Sequence, residues 1–577
     1  MSGRRVRQPS VRPGSPRWSQ TAADIDDGEG VYAPSRLDPL VRSASPVIGG
    51  PAGRRLASAG GFWRAGTVLV VLSAVVFGLG IVQKQHCRAD GWSSPDQFWH
   101  ACYSDIPVVY ASSGLGGAER LGLTASLGSG GGLGQSPLAG LMMWVTSGLI
   151  DGDAAGANRS FFDLTALLLA ALLAVAVAAT AFTLGRRGWD ASHLALSPVI
   201  VTAGLISYQL LAVALVAVAL FALSRSRALA GGLLLGLGIA AAPQVAVIAL
   251  VVAVLSLWRS HSYDPESDSE EAAIEAGRDP RALAGVTFAG SAVIAWLLVR
   301  VVLLPGVSGQ LGTTWDAWRQ GSPGYGSLWL VPQLLGASEP DPASSWGGRA
   351  AQLFFGWLFG ADALSGTATS VLVVIAMIVV TALLLRLTVA RVAPLAPIGT
   401  ARTGDDDQTF TGLPSSKPSS ALSSTMADWV IRRVAPASLA ALAFLLVISK
   451  SLPAQASLLL LPLMALTGLR WRDHLIWAAT EAVYFVGIWL YIAAETTSNR
   501  GLPAQFYLIM LLARLAGITW VGIQGILVYG GSQAVDESFR DQAVPTGSIG
   551  IEEISSPGLD EGTLRGDREA GTPHSLG

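Results

Sequence analysis

The chain has 577 residues, 51% hydrophobic and 14% charged, with a mean hydropathy of +0.49. A soluble protein needs a more charged surface than that, so composition places the chain among membrane proteins. The formal net charge of −2 offers no basic surface and argues against nucleic acid as a partner. Arg far outnumbers Lys, and Ala and Gly abound, the compositional mark of a GC-rich bacterial genome.

Residues 1–60 are polar and rich in Arg, Ser, Pro and Gly, without apolar periodicity. Such a segment buries too little surface to offset ordering, so a disordered tail is expected. The first apolar run, Phe62 to Val82, is expected to remain as a signal anchor, because what precedes it is too long and polar for a cleaved signal peptide. Arg54 and Arg55 lie before that run and Arg64 at its start, with only Lys84 and Arg88 after it. By the positive-inside rule this orients the N-terminus to the cytoplasm and the 83–160 loop outward.

Further apolar runs lie at about 161–184, 193–207, 209–223, 228–241, 243–258, 283–304, 368–388, 434–449, 454–469, 474–494 and 504–530. Arginines at 186/187, 225/227, 259, 386/391, 432/433 and 470/472 fall at every second connection. The expectation is an all-α polytopic protein of about twelve transmembrane helices, with both termini cytoplasmic. Pro137 to Ile150, too short to cross, is expected as a juxtamembrane helix on the outer face. Residues 61–530 then form one polytopic domain with a second large outer loop at 305–367 and cytoplasmic inserts at 259–282 and 389–430. Residues 531–577 read as a second disordered cytoplasmic tail. Gly231, Gly232, Gly236 and Gly238 imitate a nucleotide loop, but no strand precedes them and the run is membranous, so close helix packing is expected.

Chemistry is therefore sought on the outer face. The only cysteines, Cys87 and Cys102, lie in the first outer loop, where a disulfide is permitted; two free thiols are the alternative. Closing so short a loop would constrain the unfolded chain by ~3 kcal/mol. The stretch Trp99 to Tyr110 sets one carboxylate, Asp105, among Trp92, Trp99, Tyr103 and Tyr110. Aromatic rings at the water–lipid boundary anchor loops and stack on sugars. Asp105 reads either as a loop or N-cap aspartate or as a general base for a hydroxyl nucleophile. Lys450, one of only three lysines, stands on the outer side against the charge trend. It is a candidate phosphate-holding cation or a snorkelling lysine. Arg300 is a second cation candidate. Glu481 and Arg514 lie within spans and are expected to meet as an ion pair. His86 and His100 read as too isolated for zinc, and Asp90 and Asp96 carry no spacing signal, so no metal site is expected.

Four stretches carry a likeness to a known family. They are His100-Ala-Cys-Tyr-Ser-Asp-Ile-Pro107, Pro137-Leu-Ala-Gly-Leu-Met-Met-Trp144, Gly324-Tyr-Gly-Ser-Leu-Trp329, and Ser449-Lys450 with Gln455 and Leu461-Pro462. In them the chain resembles the polyprenol-phosphate-mannose-dependent mannosyltransferases of actinobacteria, in the C-type glycosyltransferase superfamily. The resemblance implies a layer of juxtamembrane helices over an outer-leaflet cavity and an enzyme of the bacterial plasma membrane. It implies Asp105 as catalytic base, and the charge that develops on a phosphate leaving group sets Lys450 and Arg300, as outer-face cations, at the donor phosphate. Tyr103, Tyr110, Gln135, Tyr325 and Gln455 would line the substrate. No cofactor is implied: a sugar on a polyprenol phosphate is the donor substrate, and a glycolipid or glycan of the envelope the acceptor. The chain departs from the family pattern at Gln135-Ser136, Tyr208-Gln209 and Ala242-Pro243-Gln244. A catalytically degenerate or transport-like protein that binds lipid-linked sugar is therefore the second reading.

Overall fold

The computed structural model describes residues 61–113, 115, 116, 123, 135–150, 154–261, 280–303, 315–336, 366–389, 426–497 and 500–543. The expected 1–60 tail, residues 262–279 and 390–425 of the two inserts, and residues 544–577 lie outside them. Helix is the only regular secondary structure among the described residues. The long helices are α1 (Gly61–Gln83), α2 (Ala154–Leu184), α3 (Gln209–Ser224), α4 (Ala228–Ala241), α5 (Val245–His261), α6 (Pro280–Leu303), α7 (Gly366–Val389), α8 (Ala435–Val447), α9 (Trp471–Thr496) and α10 (Ala504–Ala543). Helix α10 continues through residues 531–543, where the sequence reading began a disordered tail.

Seven helices among the described residues are long and apolar enough to cross a membrane; twelve were expected. The other five apolar runs fold as shorter or broken pieces. A helix of 16 residues, such as α3, rises only about 24 Å against a hydrocarbon core of about 30 Å. The 193–207 run divides into Ser192–Ala195 and Pro198–Ala203, because Pro198 cannot continue a helix and starts a new one. Residues 454–467 begin as a 3-10 turn, Ala454–Leu459, before the Leu460–Thr467 helix.

Local rules explain the packing. Helix α4 lies on α3 and α6, and its glycines make the close approach possible. A Cβ on Gly236 would come within 2.2 Å of the Ala292 carbonyl, and one on Gly232 within 2.3 Å of that of Phe288. This is the packing role expected of the glycine stripe. Glu481 and Arg514 also meet as expected, Nε to Oε2 at 3.0 Å, joining α9 to α10. Ser457 donates to the same carboxylate at 2.6 Å, and Arg514 donates to the carbonyls of Leu452 and Pro453 at 2.6 and 3.0 Å.

The turns segregate to two ends. At one, the Arg187 guanidinium abuts Gly468, Arg225 donates to the Phe182 carbonyl, and His193 stacks on Trp471. Arg470 and Arg472 border the same turn. At the other end lie the short helices Gln85–Asp90, Asp96–Trp99 and Asp105–Ser112, against Ile206 and Arg500. The Pro137–Ser147 helix packs on α4 and α6. An apolar cleft lined by Leu250, Val254, Thr381, Pro436, Ala440 and Tyr529 opens between α5, α7, α8 and α10; Asp105 is not among its lining residues.

Candidate functional site around Asp105

Helix α1 ends at Gln83, and the next residue, Lys84, is fully buried. Its ammonium donates to the Tyr103 carbonyl at 2.7 Å and lies 5.0 Å from the Phe485 ring centre. The Tyr103 hydroxyl donates to Asp105 Oδ1 at 2.8 Å. The Tyr103 ring packs on Trp489 of α9 and on Phe98, with centroids 4.6 and 5.5 Å apart. Asp105 is the first residue of its helix, and Ser104 supplies the cap by accepting from the Ile106 amide at 3.3 Å. The N-cap reading of Asp105 is thereby corrected: its carboxylate is released from capping by its neighbour.

The loop that carries these groups is anchored at several points. Cys87 and Cys102 are joined in a disulfide, with Cα atoms 5.8 Å apart. Arg88 makes a two-pronged ion pair with Asp163 of α2, both contacts at 2.6 Å. Ser104 donates to the Leu205 carbonyl at 2.7 Å, and the Asp105 amide to that of Ile206 at 2.8 Å. Arg500 lies 4.0 Å over the Trp99 ring. Side chains fixed in this way are held in place before any ligand arrives.

Burial decides the electrostatics. It pushes the Asp105 carboxyl above the usual carboxylate range, while the Tyr103 hydroxyl and then Lys84 pull it back. Burial pulls the Lys84 ammonium down to about 7, opposed by the Asp105 charge. It also raises the Tyr103 phenol, as does the adjacent carboxylate, so Tyr103 stays a donor at neutral pH. A carboxylate raised in this way, and still partly accessible, is suited to accept a proton near neutral pH.

The other residues named from sequence lie apart from this group. Lys450 is 5% exposed, and its ammonium donates to the carbonyls of Trp318 and Gly366 and to Ser370 Oγ at 2.6, 3.0 and 2.7 Å. The Arg319 carbonyl adds a fourth acceptor at 3.3 Å. Three ammonium protons are thus occupied, which corrects the phosphate-holding role: Lys450 ties α7 to residues 318 and 319. Arg300 sits against the Trp296 ring, and among the described residues no hydrogen bond or ion pair joins it to Asp105. Tyr110 is 3% exposed and stacks on Phe161 with centroids 4.3 Å apart, so it belongs to the core rather than to a substrate surface.

Tyr325 is 46% exposed and meets Tyr491 edge-on. Its segment runs beside the Lys450 turn: Gly324 donates to the Lys450 carbonyl, Leu452 to that of Tyr325, and Trp329 to that of Ile448. Gly326 has φ +80°, and a Cβ there would come 2.0 Å from the Leu452 carbonyl, so only glycine fits. Half-buried Gln455 belongs to the turn that Arg514 grips. Gln135 is half-buried before the Pro137–Ser147 helix, whose preceding Ser136 hydroxyl donates to the Ala241 carbonyl. Lys84, Tyr103 and Asp105 thus form one group, while Tyr325 and Gln455 lie on segments that adjoin the Lys450 turn.

No protein-family model, curated protein or solved structure matches this chain.

Lys84 is the member of this cluster that sequence reasoning passed over, having counted it only as a flanking charge. A lysine directly after the first apolar run, on the flank poorer in basic residues, was the available signal. The isolation of His86 and His100 is also corrected: their rings stack with centroids 3.6 Å apart, and Asp96 faces both.

Proposed function

We propose that the protein is a multi-pass glycosyltransferase of the bacterial plasma membrane, acting on the outer side through Asp105. The observation that carries the reading is the pairing of a desolvated, Tyr103-held Asp105 with buried Lys84 at the end of the bundle opposite the arginine-rich turns. The disulfide in the same loop supports an oxidising, extracytoplasmic location for it. Arginines gathered at the other end support a cytoplasmic placement of that end, and with it of both termini.

Outside the membrane no nucleotide sugar is at hand, so the donor is a sugar on a polyprenol phosphate, with mannose the sugar that the family resemblance favours. In the reaction Asp105 takes the proton of an acceptor hydroxyl on an envelope glycolipid or glycan. The freed oxygen bonds to the anomeric carbon as its bond to the phosphate oxygen breaks. The electron pair leaves with the polyprenol phosphate, and the anomeric centre inverts. Tyr103 and Lys84 are positioning residues: they orient Asp105 and moderate its basicity. No cofactor takes part.

Replacing Asp105 by Asn keeps the shape and removes the basic lone pair. Transfer from a polyprenol-phosphate sugar is expected to fall by ~10²-fold or more, with the melting midpoint of the same preparation unchanged. Full transfer by Asp105→Asn would remove it from the mechanism.

A second reading is favoured by one observation. Tyr208, at one departure from the family pattern, is buried, with its hydroxyl 3.1 Å from Thr165 and 3.3 Å from Thr146. The aspartate that the family pattern sets after this aromatic is Gln209 here, a neutral amide that offers no base. On this reading the protein binds lipid-linked sugar without transferring it. Wild-type protein that retains the donor and glycosylates no envelope acceptor would select it.

A further inference from the structure

The disulfide brings together two helical pairs that look unrelated in sequence. His86 and Asp90 stand four residues apart on the Gln85–Asp90 helix, and Asp96 and His100 four apart across the next. The Cys87–Cys102 bond draws the two pairs face to face. His86 Nε2 then lies 2.7 Å from Asp96 Oδ2, and His100 Nδ1 lies 3.2 Å from Asp96 Oδ1. One ligand atom from each of His86, Asp96 and His100 falls within 4.8 Å of the others.

We propose that His86, Asp96 and His100 form a divalent-metal site, matched to Zn2+, on the rim of the Asp105 loop. Two imidazole nitrogens and one carboxylate oxygen are a donor set that suits zinc, which takes three protein ligands and leaves a fourth position open. With metal–ligand distances near 2.0–2.2 Å, tetrahedral donors stand about 3.3 Å apart. The side chains are already close to that spacing and need only small rotations. All three remain partly accessible, at 38%, 34% and 47% exposed, so water can fill the fourth position.

The surroundings fit the same conclusion. Asp90 Oδ2 lies 3.3 Å from His86 Nδ1, the ring nitrogen that does not face Asp96. A carboxylate on the far nitrogen is how metal-bound histidines are oriented and made better donors. With neutral imidazoles, Asp90 and Asp96 leave a local charge of −2 that a dication balances. The nearest arginine in sequence, Arg88, is engaged by Asp163 and does not serve this purpose. The carriers are fixed by the disulfide and by the Arg88–Asp163 pair. Lys84 and Tyr103 flank the two ends of this closed loop, so the ion would clamp the segment that presents Asp105. The proposal stands on this geometry alone, whatever reaction Asp105 serves.

The test is zinc binding by the purified, tag-free full chain, measured by competition with a chromophoric chelator. One equivalent per chain is expected, and Co2+ in its place should give the intense visible bands of tetrahedral coordination. The double variant His86→Ala/His100→Ala should lose the equivalent, and Asp96→Asn should weaken it. Asp90→Asn, which removes only the charge of an exposed side chain, should weaken binding by ~10–100-fold. Alkylation without reductant checks that the disulfide is intact in each variant. Less than one equivalent on wild-type protein, or binding equal in wild type, the double variant and Asp90→Asn, would overturn the site. Such a result would leave a hydrogen-bonded His–Asp–His cluster.

Discussion

At the residue scale, the balance around Asp105 gives a pH prediction. On the proposed mechanism transfer requires the ionised carboxylate, so activity would rise with pH through the Asp105 titration. Lys84 lowers that titration point, since its positive charge favours the carboxylate. Lys84→Met removes the charge while filling similar volume. The acid limb of the transfer–pH profile should therefore move to higher pH, with a loss at low pH that narrows as pH rises. A merely structural Lys84 would lower the profile uniformly without displacing it. The direction of the shift, read on wild type and variant side by side, separates the two.

At the element scale, two buried charges act as fasteners rather than as ligands. Lys450 holds residues 318 and 319 against the start of α7 through three strong hydrogen bonds. Lys450→Met should lower the thermal midpoint, by the equivalent of about 1.5–3 kcal/mol for a charged hydrogen-bonded group, and leave donor affinity as it was. A loss of donor affinity at unchanged stability would restore the phosphate role that its sequence position suggested. Arg514 is fully buried and has five partners, counting the Tyr484 ring at 4.2 Å. Glu481→Gln leaves that guanidinium uncompensated and is expected to cost about 3–5 kcal/mol. The double variant Glu481→Gln/Arg514→Met should regain part of the loss, because the orphaned charge goes too. Melting curves of the four proteins of this cycle give the coupling directly.

At the scale of the whole molecule, the separation of charged turns predicts a sidedness. A cysteine at Ser112, exposed at the Asp105 end, should react with an impermeant thiol reagent in intact cells. One at Arg227, exposed at the arginine-rich end, should react only after lysis. Cys87 and Cys102 stay silent without reductant because they are joined. Labelling of Arg227→Cys from outside would invert the orientation, and with it the reasoning for a lipid-carried donor.

What the sequence determined is the class and its local rules. Long apolar runs, the sign of flanking charge, glycines spaced for helix contact and a Glu–Arg pair within spans are all legible, because each reports how a residue tolerates water or a close neighbour. The disulfide was legible only as one of two options. The tertiary structure decided the rest. Five apolar runs were too short or too broken to count as full-length spans, a matter of where prolines and turns cut them. Lys450, the cation that sequence placed at the mouth of the bundle, is consumed by two carbonyls and the Ser370 hydroxyl, all 80 or more residues away. Lys84, a mere flank in sequence, is folded under Tyr103, where its charge helps burial and Tyr103 set the Asp105 titration. His86 and His100 became a pair because the chain doubles back through Cys87–Cys102. Hydropathy and spacing describe each residue with its near neighbours along one helix; which charges meet across helices is set by packing, and packing is a property of the whole fold.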